Sequence, residues 1–404
     1  MIKMTSKRLK DKKVPNLRFP GFEEEWKTKK LGDLLEFKNG INATKEQYGN
    51  GYKFINVLDI LSNEFITYDK IIGSVNVTNE IINKFPVNYG DILFQRSSET
   101  REEVGTTSVY LDKHKTATFG GFVIRGKQIG EYEPIFLNKA LKTSFVRNQI
   151  TSKSGGSTRY NVGQEILASV TLSLPSIIEQ QKIASFLSLI DERITTQNKI
   201  IEELETLKTS ISKKIFSQNL RFKDNNGNEF SRWEFKEIGD VFTITRGNVL
   251  SMSLLSNDKD NENNYPVYSS QTKNKGLAGY YNNFIFENAI TWTTDGANAG
   301  DVNYREGKFY CTNVCGVLLN SNGNANHCIA ELINSVSHKY VSYVGNPKLM
   351  NGTMSSIVIP FPSIQEQQKI SNILVSLNTK IDIENTFLQK LDNQKKYLLD
   401  NLFV

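Results

Sequence analysis

Cys311-x-x-x-Cys315, followed by His327 and Cys328, offers thiols and an imidazole of the kind that hold zinc. The spacing is irregular, however, and Cys311 and Cys315 fall inside the apolar run KFYCTNVCGVLL, so buried free thiols are expected. Gly121-Phe-Val-Ile-Arg-Gly126-Lys127 has the outline of a phosphate-binding loop. It continues with Gln128 where that loop needs Ser or Thr for magnesium, and no helical pattern follows. It reads as a strand and a turn. His114, His327 and His338 are isolated from any nucleophile, so no acid–base arrangement is evident.

Polar loops carry a different chemistry. Reading base edges in a major groove takes Arg, Lys, Asn, Gln and Ser, and phosphate contacts take Lys and Arg. In the first half, QRSSETR supplies Arg96, Ser97 and Arg101, and KSGGSTRYN supplies Lys153, Arg159 and Tyr160. In the second half, SSQTKNKG supplies Gln271 and Lys273, TTDGANAG supplies Thr294 and Asn298, and GNPKLMNG supplies Lys348. Any one of these also fits a plain solvated loop.

The elements that position these loops come from a repeat. LPSIIEQQKIASFL begins at Leu174 and FPSIQEQQKISNIL at Phe361, and Pro175 and Pro362 lie 187 positions apart. After each motif, apolar residues recur at alternating steps of four and three. The first series is Ile183, Leu187, Ile190, Ile194, Gln197, Ile201, Leu204, Lys208, Ile211, Ile215. The second is Ile370, Leu374, Leu377, Ile381, Glu384, Leu388, Leu391, Lys395, Leu398, Leu402. This is the heptad seam of a coiled coil, and even its polar breaks coincide. Ser176 and Ser363, each with Glu three residues on, have capping-box spacing. Each helix is expected to run for about 40 residues, or about 60 Å.

A second repeat lies upstream of each helix. LRFPGFEEEWKTKKLGDLLEFKNG begins at Leu17 and LRFKDNNGNEFSRWEFKEIGDVFTITRG at Leu220. Weaker matches join GDILFQRSSE (Gly90–Glu99) to ENAITWTTDG, and ATFGGFVI (from Ala117) to CTNVCGVL. Between them lie short β-type runs, YKFINVLDI, DILFQ, FGGFVIRG and FIFENAITW, with helices expected in EPIFLNKALKTSFVRNQI and HCIAELINSVSHKYV. The segments are a basic tail (1–16), a first globular domain (17–173), a long helix (174–219), a second globular domain (220–360) and a second long helix (361–404). The fold class is mixed α/β.

The bulk numbers agree. The 404 residues carry a net charge of +6, which permits a polyanionic partner, and three cysteines argue for a reducing compartment. No apolar run approaches the roughly 18 residues that span a membrane. The N-terminus lacks the apolar core of a signal peptide. A cytoplasmic location is expected. The tail, with Lys3, Lys7, Arg8, Lys10, Lys12 and Lys13, reads as a solvated arm or a phosphate contact.

With its paired Pro-x-x-x-Glu-Gln-Gln-Lys-Ile motifs and its two domain openings, the chain resembles the specificity subunit of type I restriction–modification enzymes from about Leu17 to Val404. The resemblance implies two target-recognition domains separated by two long helices that pair as an antiparallel coiled coil, with an internal pseudo-twofold repeat. It implies double-stranded DNA, two methyltransferase subunits and restriction subunits as partners. It also implies that S-adenosylmethionine, ATP and magnesium serve those partners while this chain holds no cofactor. No Asn-Pro-Pro-Tyr methyltransferase signature is present, and NPKL at Asn346 does not match it. The near-identity of the two helix starts points to subunit docking through Glu179, Gln180, Gln181, Lys182, Glu366, Gln367, Gln368 and Lys369; a capping glutamate beside a solvated face is the plainer reading. The alternatives are a two-headed coiled-coil scaffold for a partner other than DNA and a divergent single-chain methyltransferase or nuclease.

Overall fold

The computed structural model describes residues 3–4, 13–270 and 273–404, with Lys3, Met4 and Lys273 described in their backbone only. Of the tail, Lys7, Arg8, Lys10 and Lys12 lie outside the described residues, as does Gln271. Two compact units are present, Met1–Asn198 with Phe387–Val404, and Lys199–Thr386. The boundary cuts both long helices, Ile177–Phe216 and Ile364–Leu402, near their middles. Each unit therefore joins a globular domain to the start of one helix and the end of the other. Among the described residues no helix is long and apolar enough to cross a membrane.

The first unit holds a five-stranded sheet in the order Leu35–Asn39, Val123–Gln128, Ile92–Gln95, Thr107–Tyr110, Phe65–Ile66. All its pairings are antiparallel except the last. The second holds a six-stranded sheet in the order Thr243–Arg246, Cys315–Leu319, Phe286–Thr293, Val302–Cys311, Tyr265–Tyr268, Leu277–Tyr281. The Gly121–Lys127 run forms a turn and then the strand Val123–Gln128 of the first unit's sheet, as its lack of a helical continuation predicts. The run YKFINVLDI is not wholly β. Its strand stops at Ile55 and a short helix, Val57–Ser62, follows, because the Asn56 N–H donates to the Asp59 carboxylate at 2.8 Å and caps it. EPIFLNKALKTSFVRNQI forms two helices, Pro134–Ala140 and Ser144–Lys153.

Hydrogen bonds set the true alignment of the two domains. Ile41 N donates to Phe119 O, and Asn248 N to Cys311 O; Val123 N donates to Gly120 O, and Cys315 N to Thr312 O. Phe119 thus corresponds to Cys311 and Val123 to Cys315, two residues on from the sequence match. Gln95 pairs with Val123 as Thr293 does with Cys315. The sequence match sets Gln95 against Trp292, a slip of one, which would turn the strand's faces over. The shared glycines have one cause. A Cβ on Gly40 would lie 2.2 Å from Gly120 O, and one on Gly247 2.2 Å from Cys311 O.

Inside the first unit Ile183, Ala184, Leu187 and Ile190 share a core with Leu398, Leu402 and Phe403. Inside the second, Ile370 and Leu374 share one with Ile215, and Ile211 packs against it. The start of each helix meets the end of the other, so the pair is antiparallel. Lys395, a polar break in the seam, reaches Asp191 at 2.8 Å, and Lys208 meets Glu331 at 3.5 Å.

The duplicated motif faces inward. Arg18 holds Glu179 through Nε–Oε1 and Nη2–Oε2, both at 2.8 Å, and its Nη2 also donates to Glu24 O at 2.6 Å. Arg221 holds Glu366 in the same way, at 3.2 and 2.8 Å, and Trp233 Nε1 donates to Glu366 Oε2 at 2.8 Å. Ser176 and Ser363 cap the helices as expected, each accepting from the glutamate N–H at 3.4 Å, but the glutamate carboxylates go to arginine. Gln180 donates to Pro175 O and accepts from Glu133 N. Gln367 donates to Pro362 O and Asn324 Oδ1 and accepts from Asn326 Nδ2. All four side chains are buried. The docking role expected of Glu179, Gln180, Glu366 and Gln367 is therefore corrected: they attach each domain to its own helix start. Gln181, Lys182 and Gln368 are exposed, while Lys369 donates to Lys223 O at 2.7 Å.

A second charged cluster sits in the first unit. The buried Lys139 ammonium bonds both Glu64 and Asp191, and Lys142 and Lys395 each approach Glu64 to 3.4 Å. Burial pushes the Glu64 carboxyl up, but Lys142, Lys139 and Lys395 together outweigh it and hold it at about 2.

Two predictions follow from these contacts. Gln367→Ala takes the side-chain donor from Asn324 Oδ1 and Pro362 O and one of two acceptors from Asn326 Nδ2, and should cost roughly 1–3 kcal/mol in thermal or denaturant unfolding. Because the Glu64 carboxyl is depressed in the folded chain, its contribution is whole above the ordinary carboxylate range and is lost as pH falls from about 4.5 towards 2. Stability measured across that window should fall in the native chain, and less steeply in Glu64→Gln.

Candidate nucleic-acid interface

Two loops that lie some sixty residues apart in sequence become one surface in the first unit. Arg96 follows the strand Ile92–Gln95. Its N–H donates to Phe122 O at 2.9 Å, its carbonyl accepts from Val162 N at 3.0 Å, and its Nη1 donates to Gly121 O at 3.2 Å. Ser97–Ser98 pairs with Tyr160–Asn161 as a short antiparallel ladder. The Arg101 guanidinium stacks over the Tyr160 ring at 5.0 Å, and Arg159 lies 3.8 Å from Glu99. Arg96, Arg101 and Arg159 are exposed. Lys153 is exposed too, but its ammonium donates to Ser169 Oγ at 3.0 Å, so it does not join the group.

Thr294 occupies the corresponding position in the second unit. Its N–H donates to Val314 O at 3.0 Å and its carbonyl accepts from Leu349 N at 2.9 Å. The loops 293–300 and 345–352 therefore converge as their first-unit counterparts do. Asn298 donates to Ser270 O at 3.2 Å and ties in the third loop. Lys348 is exposed and 4.0 Å from Asp295, which Arg246 also approaches at 3.6 Å. Thr294 itself is fully buried, with its hydroxyl bonded to Asp295 Oδ2 and Val314 O. It cannot touch a base; it holds the loops together.

Several groups here are not apparent from sequence alone. Arg246, directly before the close-packed Gly247, carries the only forward signal, as a cation at a strand end. Phe122, Leu58 and Leu61 look like core residues in the sequence and are exposed, and the Phe122 carbonyl accepts from Arg96 N. The thiols belong elsewhere. Burial pushes Cys315 up to about 11 and raises Cys311 and Cys328 as well. Among the described residues no group of three or more His, Cys, Asp or Glu side chains is placed to hold a metal ion.

The arrangement is two versions of one loop platform, each carrying cations on a rigid sheet. A model of the type I restriction modification DNA specificity domain matches residues 23–206 and again 231–393. The chain belongs to this family. A Mycoplasma pneumoniae chain named as the N-terminus of a type I specificity subunit is 40% identical over 141 residues, 34% of this chain and 74% of its own length. The MjaX type I restriction enzyme specificity subunit of Methanocaldococcus jannaschii is 25% identical across 94% of this chain and 93% of its own. The solved type I restriction–modification S subunit of M. genitalium superposes with a TM-score of 0.64 at 19% identity, covering 97% of this chain and 99% of that one. A chain from a structure of type I complex assembly and conformational transition gives 0.54 at 13% identity, covering 95% and 99%. At these identities the solved structures show the fold. The chain is a DNA-recognition specificity subunit of the type I class.

Arg96 is the cation most firmly placed at the loop junction. Arg96→Ala should relax sequence preference at one base pair by about 1–3 kcal/mol, or, if it meets phosphate, weaken all duplexes alike and lower the salt slope by about one. Competition between variant duplexes at several salt concentrations separates the two.

Proposed function

We propose that this specificity subunit has no catalysis of its own and reads a split, asymmetric target, one recognition domain per half. The observation that carries this reading is the shared framework with unlike side chains. Gly40 and Gly247 make the same close approach, and Arg96 and Thr294 take the same backbone bonds, yet one domain presents Arg96, Arg101 and Arg159 where the other presents Arg246 and Lys348. Equal frameworks place the loops alike; unequal loops meet different base edges. Two methyltransferase subunits bind the two related halves and restriction subunits complete the complex. S-adenosylmethionine, ATP and magnesium serve those partners, in the cytoplasm. Of the helix-start motif, the exposed Gln181, Lys182 and Gln368 are what is left to face a partner.

Replacing residues 17–173 with the matching domain of a relative should change one half of the methylated sequence and leave the other intact. Methylome mapping in cells carrying the exchanged chain and its methyltransferase reads this directly. A change in both halves, or in neither, contradicts the assignment.

A further inference from the structure

Beside Arg96 the first domain exposes apolar surface that its own core does not use. Phe122 is 63% exposed and Leu58 71%, and Leu61 lies next to them. They line one concavity of about 600 Å³, whose polar rim includes Arg159, Glu99 and Glu103. Phe122 is held firmly. It is the third residue of a turn closed by Val123 N to Gly120 O at 2.9 Å, and Arg96 bonds the carbonyls on both sides of it, those of Gly121 and Phe122. Three large apolar side chains displayed together, one of them on a turn whose backbone is pinned beside cations, mark a contact surface.

We infer that Phe122, with Leu58, reads the 5-methyl group of a thymine in the half-site of the first domain. This rests on the DNA-reading role of that face. Thymine is the one base that presents a methyl group in the major groove, and an apolar side chain is what recognises it. The rim argues against phosphate as the occupant. Glu99 and Glu103 outnumber Arg159, itself 3.8 Å from Glu99, in the lining and repel an anion, while the exposed Arg96 and Arg101, which do not line the concavity, carry guanidinium donors beyond their own contacts for the backbone. A base edge fits what remains. The second domain differs here. Its turn, closed by Cys315 N to Thr312 O, carries the smaller, half-buried Val314 where Phe122 stands. The contact therefore belongs to one half-site only.

The test uses the assembled enzyme and its mapped target, with each thymine of the first-domain half-site replaced singly by deoxyuridine, which removes only the methyl group. One replacement should weaken binding about fourfold, the worth of one buried methyl. Phe122→Ala should bind the thymine and uracil duplexes equally, and Leu58→Ala should narrow the difference. No uracil effect at any position, a half-site without thymine, or a Phe122→Ala variant that weakens every sequence alike, as a wedge between base steps would, overturns the inference. The uracil scan on the unaltered chain needs no variant to fold. Arg96→Ala separates the two levels: if it alone changes DNA binding, only the thymine contact fails, and if neither variant does, the face is not the reader.

Discussion

The buried pairing of an arginine with the first-turn glutamate of a long helix occurs twice, and both units are organised around it. Arg18 and Arg221 open their domains; Glu179 and Glu366 open the helices that follow. Burying such ions costs several kcal/mol, offset only when geometry and further hydrogen bonds are good. Here both carboxylate oxygens are engaged, and the guanidinium also reaches backbone carbonyls. Apolar residues of equal size would hold a helix to a domain without fixing its angle. A two-pronged ion pair fixes direction, which a reader of DNA needs more than it needs stability.

The rest of each unit builds outward from that attachment. The heptad seam continues the domain core, so helix and sheet share one apolar interior. At the other end of the sheet, loops leave the strands at points held by backbone bonds common to both domains, and their side chains are then free to differ. The two domains divide the labour alike: a common interior orients each, and unlike loops stand at its rim.

Much of this was readable in the residues. A 3.5-residue period sustained for ten positions, eight of them apolar in each helix, has few structural solutions, and its duplication carries the two-part plan. The destination of Glu179 was hidden for a definite reason. Ser-x-x-Glu satisfies a capping box by itself, and the arginine that takes the carboxylate lies 161 residues earlier. The identity of Glu179 with Glu366 and of Gln180 with Gln367 records an inner face, while the equally identical Gln181 and Gln368 stay exposed. The helix at Val57 was hidden because its cap, Asn56 with Asp59, stands within a run whose apolar and β-branched residues argue for strand. The one-residue slip between Gln95 and Trp292 came from aligning by residue type where only the hydrogen-bond ladder keeps count. Exposed Phe122 had no sequence signal, because an apolar residue in a strand-like run is ordinarily core.

The central claim is that the repeated glutamate is an internal anchor. A double-mutant cycle across Arg18 and Glu179 in the full chain, repeated across Arg221 and Glu366, tests it most directly. The account predicts that each single alanine variant is destabilised by about 3–5 kcal/mol and that the double variant loses far less than the sum, a coupling above about 2 kcal/mol in each pair. Additive losses within about 0.5 kcal/mol would contradict it.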